Sequence, residues 1–162
     1  MLTRQAHAEK THYQSLASLR YALRRFLNFS QNAAREAGLT PQQHQALLSI
    51  KGFRGPGNAS IGDLAEHLFL KHHSTVGLVD RLVQRQFVRR SPSPTDHRRV
   101  ELELTPKGEA IIKRLSEVHL LELKHIGPEL QRIIASLPKL GSYPAGTAKR
   151  RARTAKTARS QP

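Results

Sequence analysis

The hydrophobic period changes part-way along the chain, and this change is the feature that most constrains the fold. Over residues 61–68 and 72–86, apolar side chains recur at helical spacing, which predicts two short amphipathic helices joined by a tight turn. Over residues 99–104, apolar and charged residues alternate, which predicts a strand with one buried face. The residues expected on the buried face are Val100, Leu102 and Leu104, and those expected to be solvated are Glu101 and Glu103.

A second apolar run begins at Phe87 and Val88, and a segment rich in turn residues separates it from the first. Pro92, Pro94 and Asp96 in this segment favour turns and disfavour a continuous central strand. We therefore expect a β-hairpin with an extended, basic tip. Two short helices followed by such a hairpin form a winged helix-turn-helix, so the expected fold class is mainly α with a small β-hairpin wing, an α+β arrangement.

Longer amphipathic helices are predicted on both sides of this unit. One spans about residues 11–37. The other begins after Thr105-Pro106, which supply an N-cap and a first-turn proline, and Gly127-Pro128 is expected to interrupt it. A helix as long as the first, with an apolar stripe, favours packing against a partner subunit. The stripe consists of Leu16, Leu19, Leu23, Phe26 and Leu27.

Positive charge dominates the chain. Lys and Arg number 27 against 12 Asp and Glu, a net charge of +15, which favours nucleic acid or another anionic partner. Residues 141–162 carry six of these basic residues and no acid, in a composition too poor in apolar groups to fold, so we expect a flexible basic tail. Without the tail the net charge is still +9, and seven basic residues fall between Lys71 and Arg99 against two acids. The charge therefore concentrates on the predicted helix-turn-helix and wing.

The composition excludes several classes of protein. The absence of Cys excludes disulfides, thiolate metal sites and thiol-based redox sensing. No apolar run approaches the ~20 residues of a membrane span and no secretory signal is visible, so we expect a cytoplasmic, nucleoid-associated protein with no membrane partner. The nine His residues lack a metal-ligand spacing and no catalytic motif occurs, so we expect no metal, no cofactor and no enzymatic activity.

One face of the predicted helix at 72–86 carries groups that hydrogen-bond to bases or phosphates. An extended Arg in the wing is able to enter a narrow minor groove, where the negative potential is enhanced. Asp96 is placed either to cap the turn of the wing or to hold an arginine by a charge-assisted hydrogen bond. The candidates for DNA contact are His73, Ser74, Gly77, Arg81 and Arg85 on the helix, and Arg98 and Arg99 in the wing.

Two segments of the chain resemble the MarR family of bacterial winged-helix regulators. They are IGDLAEHL at 61–68 and STVGLVDRLVQRQFVRRSPSPTDHRRVELELTPKGE at 74–109. The resemblance implies an obligate homodimer with intertwined first and last helices and a double-stranded DNA operator. It implies that the helix at about 71–86 lies in the major groove and that the Asp96–Arg98 wing motif reaches the minor groove. By matching position, the groove residues are His73, Ser74, Thr75 and Gly77.

The chain departs from the family pattern at two of these positions. Gly77 stands where a polar or basic residue is frequent, and Gln86 stands where Gly is common at the turn into the wing strand. Many family members respond to small aromatic acids or phenols, so the resemblance also implies an aromatic or phenolic effector between the dimer helices and the winged helix. The candidate pocket residues are His12, Arg20, His44 and His119.

The expected organisation is one domain, residues 1–140, followed by the tail at 141–162. Dimerisation helices at 11–37 and 106–138 flank a DNA-binding winged helix at 40–105. The leading hypothesis is a sequence-specific, homodimeric transcriptional regulator, a ligand-responsive repressor acting on a pseudo-palindromic operator. The alternative is an architectural nucleoid protein that binds DNA mainly through phosphates, which the basic tail favours.

Overall fold

The computed structural model describes residues 2–55, 57–93 and 99–137, without the side chains of residues 2–9. None of the helices in these ranges is long and apolar enough to cross a membrane. The predicted basic tail and most of the wing tip lie outside the described residues. The elements are α1 (Leu2–Glu36), α2 (Pro41–Lys51), α3 (Ile61–Leu68), α4 (His72–Gln84), β1 (Val88–Pro92), β2 (Val100–Leu104) and α5 (Pro106–Ser136).

Side-chain caps begin three of the helices. Thr40 and Ser60 each form a capping box, in which the cap hydroxyl accepts from a backbone N–H while Gln43 or Asp63 accepts from the cap N–H. Thr105 caps α5 by accepting from the Gly108 N–H. These bonds satisfy backbone donors that the first turn leaves without a partner, so they set where each helix starts.

The long helices α1 and α5 pack against each other in antiparallel directions and form what we call the platform. At one end the Ser136 hydroxyl donates to Ser15, and nearer the other end the His119 ring is hydrogen-bonded to Ser30. Helix α1 begins at Leu2, nine residues before the predicted start. Residues 2–10 contain neither Gly nor Pro, so no helix-breaking residue prevents α1 from starting at Leu2.

The prediction that Gly127-Pro128 interrupts the last helix is wrong, because α5 is continuous from Pro106 to Ser136. Pro128 removes one amide donor and its ring crowds the preceding turn, but the packing on either side keeps the helical course. Ile126 is buried, and Glu129 forms an ion pair with Arg25 of α1 at 3.3 Å.

Helices α2, α3 and α4 and the hairpin enclose one hydrophobic core, which α1 and α5 complete. The two strands are antiparallel, with Val88 opposite Leu104 and Pro92 opposite Val100. Ser60 bridges to Glu101, and the Leu102 N–H donates to the Ala59 carbonyl at 2.8 Å, so a short third segment covers β2. The largest fully buried side chains of this core include Leu47, Leu64, Leu78, Leu82 and Leu102.

The burial of β2 differs from the alternation that the sequence predicts. Val100 is 44% exposed, whereas Glu101 is only 4% exposed, so the expected roles of these two residues are reversed. Val100 lies at the outer end of the hairpin, beyond the core. The segment before Ser60 lies over Glu101, and the Asn58 N–H donates to its carboxylate at 3.3 Å. Leu102 is buried as predicted.

Candidate nucleic-acid interface

Helix α4 buries one face and exposes its first turn. Leu78, Val79 and Leu82 pack into the core. The N-cap residue, Lys71, makes no side-chain capping bond, so the first N–H groups of this helix have no capping side chain. Free N–H groups at a helix start, together with the helix dipole, favour an anion such as phosphate. The exposed residues of the first turn are His72, His73 and Ser74.

Four of the predicted DNA contacts lie on one strip of α4. His73, Gly77 and Arg81 follow each other at four-residue spacing, which places them on one face, and Ser74 lies beside them. Gly77 is half-buried, and a Cβ added there would lie 3.7 Å from Arg81 Nη1, an ordinary contact. Within the part of the chain that the structure describes, the Arg81 side chain makes no hydrogen bond or ion pair. This strip is therefore free to contact another molecule.

Thr75 does not belong to this strip. Its side chain is fully buried, and its hydroxyl donates to the Lys71 carbonyl at 3.2 Å. The prediction that Thr75 lies in or near the groove is wrong for its side chain, because the helix turns position 75 toward the core, next to the exposed Ser74.

Arg85, also predicted to contact DNA, is exposed, and its side chain reaches back along the protein surface to Gly38 and Gln43. Its Nη1 donates to the Gly38 carbonyl at 2.9 Å and to Gln43 Oε1 at 3.1 Å. Its guanidinium carbon lies 4.8 Å from the centre of the Phe87 ring. The structure thus separates Arg85 from the strip that contains Arg81.

Arg99 ties the base of the hairpin to α3. Its Nη2 donates to Asp63 Oδ2 at 2.7 Å and to the Asn58 carbonyl at 3.3 Å. Burial alone would raise the pKa of Asp63, but the hydrogen bonds from Ser60 and the charge of Arg99 lower that pKa below its usual value. The sequence did not indicate the pair of Arg99 and Asp63, because the capping box with Ser60 already accounts for an acidic residue at position 63.

Asp96 and Arg98, the predicted tip of the wing, lie outside the described residues, so their roles stay predictions. The structure does describe the strands that carry the tip. Glu103 accepts from Arg89 and Ser91, which lowers the pKa of its carboxyl group. Three of the seven basic residues of this region pair with acids, namely Arg89, Arg90 and Arg99. Of the described basic residues between positions 71 and 99, Lys71 and Arg81 make no side-chain hydrogen bond or ion pair, and Arg85 bonds only to neutral groups.

The four candidates for an effector pocket do not come together in one site. His44 of α2 and His119 of α5 are buried and stacked, with ring centroids 4.8 Å apart. Phe26 and Phe29 of α1 meet His119 edge-on, so aromatic rings occupy the space between these helices. His12 lies in the first half of α1, fourteen residues before Phe26, and Arg20 lies near the middle of that helix with its side chain exposed.

The two stacked imidazoles differ in their hydrogen bonds. Nδ1 of His119 is bonded to the Leu115 carbonyl, which only accepts, so this nitrogen carries a proton. Nε2 of His119 is bonded to the Ser30 hydroxyl at 2.7 Å. Burial, and then the charge of His119, lower the pKa of His44 to about 4. His44 is therefore neutral at physiological pH.

Together, the helix-turn-helix, the hairpin and the exposed strip of α4 define a winged helix-turn-helix protein. The MarR family model matches residues 37–99. The HTH-type transcriptional repressor NicR of Pseudomonas putida is 33% identical over 94 residues, 58% of each chain. The HTH-type transcriptional regulator YsmB of Bacillus subtilis is 36% identical over 59 residues, 36% of this chain and 40% of YsmB.

Solved structures agree with these matches. The crystal structure of the MarR family transcription regulator SP03579 superposes with a TM-score of 0.67 and 21% identity, over 96% of this chain and 93% of that one. The predicted fold class is confirmed, and the chain is similar to MarR family regulators over residues 37–99. The matched part of the chain spans about two fifths of the length of YsmB.

Proposed function

We propose that this protein is a sequence-specific regulator of transcription that binds double-stranded DNA as a homodimer and acts as a repressor. The observation that carries the proposal is the exposed strip of α4, in which Arg81 lacks a partner within the described residues while the opposite face is locked into the core. A polar helix face on a rigid core is what base recognition in the major groove requires. NicR, a relative named as a repressor, supports the direction of regulation.

We propose that a second copy of the chain covers the apolar side of the platform. Several large apolar side chains of α1 and α5 are exposed, more than a lone small domain normally leaves in water. Two copies related by a two-fold axis would present two α4 helices to half-sites about 10 bp apart. Sedimentation should therefore give twice the 18.2 kDa chain mass. The exposed residues are Tyr13, Leu16, Tyr21, Leu23, Leu27, Val118, Leu120, Leu121, Leu123 and Ile134.

Within the DNA complex we propose different roles for different residues. His73, Ser74 and Arg81 would contact base edges or phosphates in the major groove, and Gly77 would let the helix backbone approach closely. Arg98 would enter the minor groove, with Asp96 bracing it, as the family resemblance implies. Such a regulator acts at the chromosome, in the bacterial nucleoid.

An aromatic or phenolic effector stays part of the proposal, but its site is constrained. The rings of His44 and His119 already fill the space between α2 and α5, so an effector there would have to separate them. It would change DNA binding only if its affinity differs between the DNA-competent and DNA-incompetent states.

Selection of bound fragments from a random duplex library tests this function. The full chain and a version of residues 1–140 would be compared at physiological salt. We expect both to enrich one pseudo-palindrome. Arg81→Met should then weaken binding to that sequence, whereas Arg114→Met, which removes an exposed charge on α5, should leave binding unchanged.

The architectural hypothesis rests on the basic composition of residues 141–162. It predicts that the selection enriches no motif and that binding is lost in the version ending at residue 140. That result would contradict a sequence-specific regulator. A steep salt dependence would not distinguish the two, because specific binders show one as well.

A further inference from the structure

Arg85 lies just beyond the C-terminal end of α4, and its side chain connects that end to the joint between α1 and α2. Gly38 lies where α1 has ended and the backbone turns at a φ of 75°, and Gln43 lies in the first turn of α2. One guanidinium nitrogen donates to both residues, at 2.9 and 3.1 Å. Gln43 also accepts from the Thr40 N–H, so Arg85 bonds to a side chain that is already held in place.

The backbone of the same end is held from the other platform helix. Lys107, in the first turn of α5, donates through Nζ to the Arg85 carbonyl at 3.0 Å. The Thr105 hydroxyl donates to the Gln86 carbonyl at 2.6 Å, and the Thr105 N–H donates to the Phe87 carbonyl at 3.1 Å. Residues 85–87 are thus bonded to α1 and α2 on one side and to α5 on the other.

Residues 85–87 pack tightly against the first turn of α5. Gly108 of α5 approaches so closely that a Cβ there would lie 2.1 Å from the Phe87 carbonyl oxygen. The Phe87 ring is buried, with the Arg85 guanidinium and the Lys107 ammonium 4.8 and 5.0 Å from its centre. Residues 85–87 are therefore held tightly against the start of α5.

We propose that Arg85 is a positioning residue that fixes the C-terminal end of α4 to the platform and so sets the angle at which α4 meets DNA, without binding DNA itself. The proposal rests on the proposed function, in which the other end of α4 enters the groove. Arg81, one helical turn earlier, has the same charge and no bond to the described residues, so it serves as the matched comparison.

The first test measures binding of the full chain to its selected operator and to an unrelated duplex over a range of salt. For Arg85→Met we expect operator affinity to fall about tenfold, with unrelated DNA bound as before and the salt slope unchanged. For Arg81→Met we expect weaker binding to both duplexes and a salt slope smaller by about 0.9, as for one lost phosphate contact. If Arg85→Met reduces the salt slope like Arg81→Met, or leaves operator affinity unchanged, the proposal is wrong.

The second test needs no DNA. Hydrogen exchange of the Arg85, Gln86 and Phe87 amides, which donate within the end of α4, should quicken in Arg85→Met and stay at the wild-type rate in Arg81→Met. Equal rates in all three proteins would overturn the proposal. If Arg85→Met does not fold, Lys107→Met removes the bond from α5 and should show the same changes with a smaller loss of affinity. If the wild type shows no sequence preference, the proposed function is wrong. The hydrogen-exchange experiment would still decide whether Arg85 holds the end of α4.

Discussion

The two ends of α4 are held in opposite ways. At the N-terminal end, Lys71 provides no side-chain cap, and His72, His73 and Ser74 are exposed. At the C-terminal end, Arg85 donates hydrogen bonds to α2 and to the α1–α2 joint, and its carbonyl accepts one from α5. A helix that recognises DNA needs both conditions, since free groups make the contacts and a fixed end determines where they fall.

The largest expected effect is at the fixed end. Gly108→Ala should lower the free energy of unfolding by about 4 kcal/mol, above the usual range for overpacking, because the new Cβ meets the main-chain carbonyl of Phe87. Gly127→Ala, on the same helix, has nothing within 4 Å of the new Cβ and should stabilise by about 0.5–1 kcal/mol. Thermal and denaturant unfolding measure both. Similar values for the two variants would contradict tight packing at Gly108.

The next effect is a pH dependence of the free energy of unfolding. It arises at His44 in α2, next to Gln43, to which Arg85 bonds. The pKa of His44 is about 4 in the folded protein and 6.5 without the fold, so the folded state disfavours the charged form. The resulting stability is complete above pH 6.5 and should fall by roughly 3 kcal/mol as the pH drops to 4. Urea unfolding at a series of pH values measures this slope. His44→Phe should flatten it, and an unchanged slope in that variant would assign the effect to other groups.

A smaller effect is expected at the free strip. Arg81→Ala should weaken operator binding by about 1–3 kcal/mol. The free energy of unfolding should stay within about 0.5 kcal/mol of the wild type, because the side chain has no partner among the described residues. Fluorescence titration and denaturant unfolding separate the two quantities. A loss of stability that matches the loss of binding would show that Arg81 supports the fold.

The smallest effects compare the residues that flank α4. Phe69 before it and Gln86 after it both have left-handed backbones, with φ of 53° and 60°. Glycine at either position should stabilise the protein by about 0.5 kcal/mol, because the steric cost of this conformation exceeds the entropy that glycine adds to the unfolded chain. Phe69 is 97% exposed, so its loss removes no packing. Differential scanning calorimetry of the two variants would show a rise in Tm, and a fall in either would indicate that its side chain stabilises the fold.

The sequence predicted the order and type of the elements because the signals for each element lie within its own segment. The capping boxes at Thr40 and Ser60 satisfy their own helix starts, and the alternation before Leu104 marks a strand whatever lies beside it. Gln86, which stands where Gly is common in the family pattern, has a left-handed backbone, the conformation that glycine adopts without strain.

What the sequence did not predict depends on contacts between distant segments. Glu101 is buried because residues before Ser60 cover it, and Arg99 pairs with Asp63, 36 positions away. Arg85 looked like a DNA contact because its charge and its place on the helix match those of Arg81. Only the position of Gly38 and Gln43 distinguishes the two arginines.

Gly77 bears on how proteins of this kind change their targets over evolutionary time. A side chain added there meets only the end of Arg81, at 3.7 Å, so many substitutions are compatible with the packing of the protomer. Glycine inside a helix also costs up to about 1 kcal/mol relative to alanine, so most replacements would come with a gain in stability. Under the proposed function, a single mutation at this position is thus a route by which descendants of this protein could acquire a new operator while keeping the fold intact.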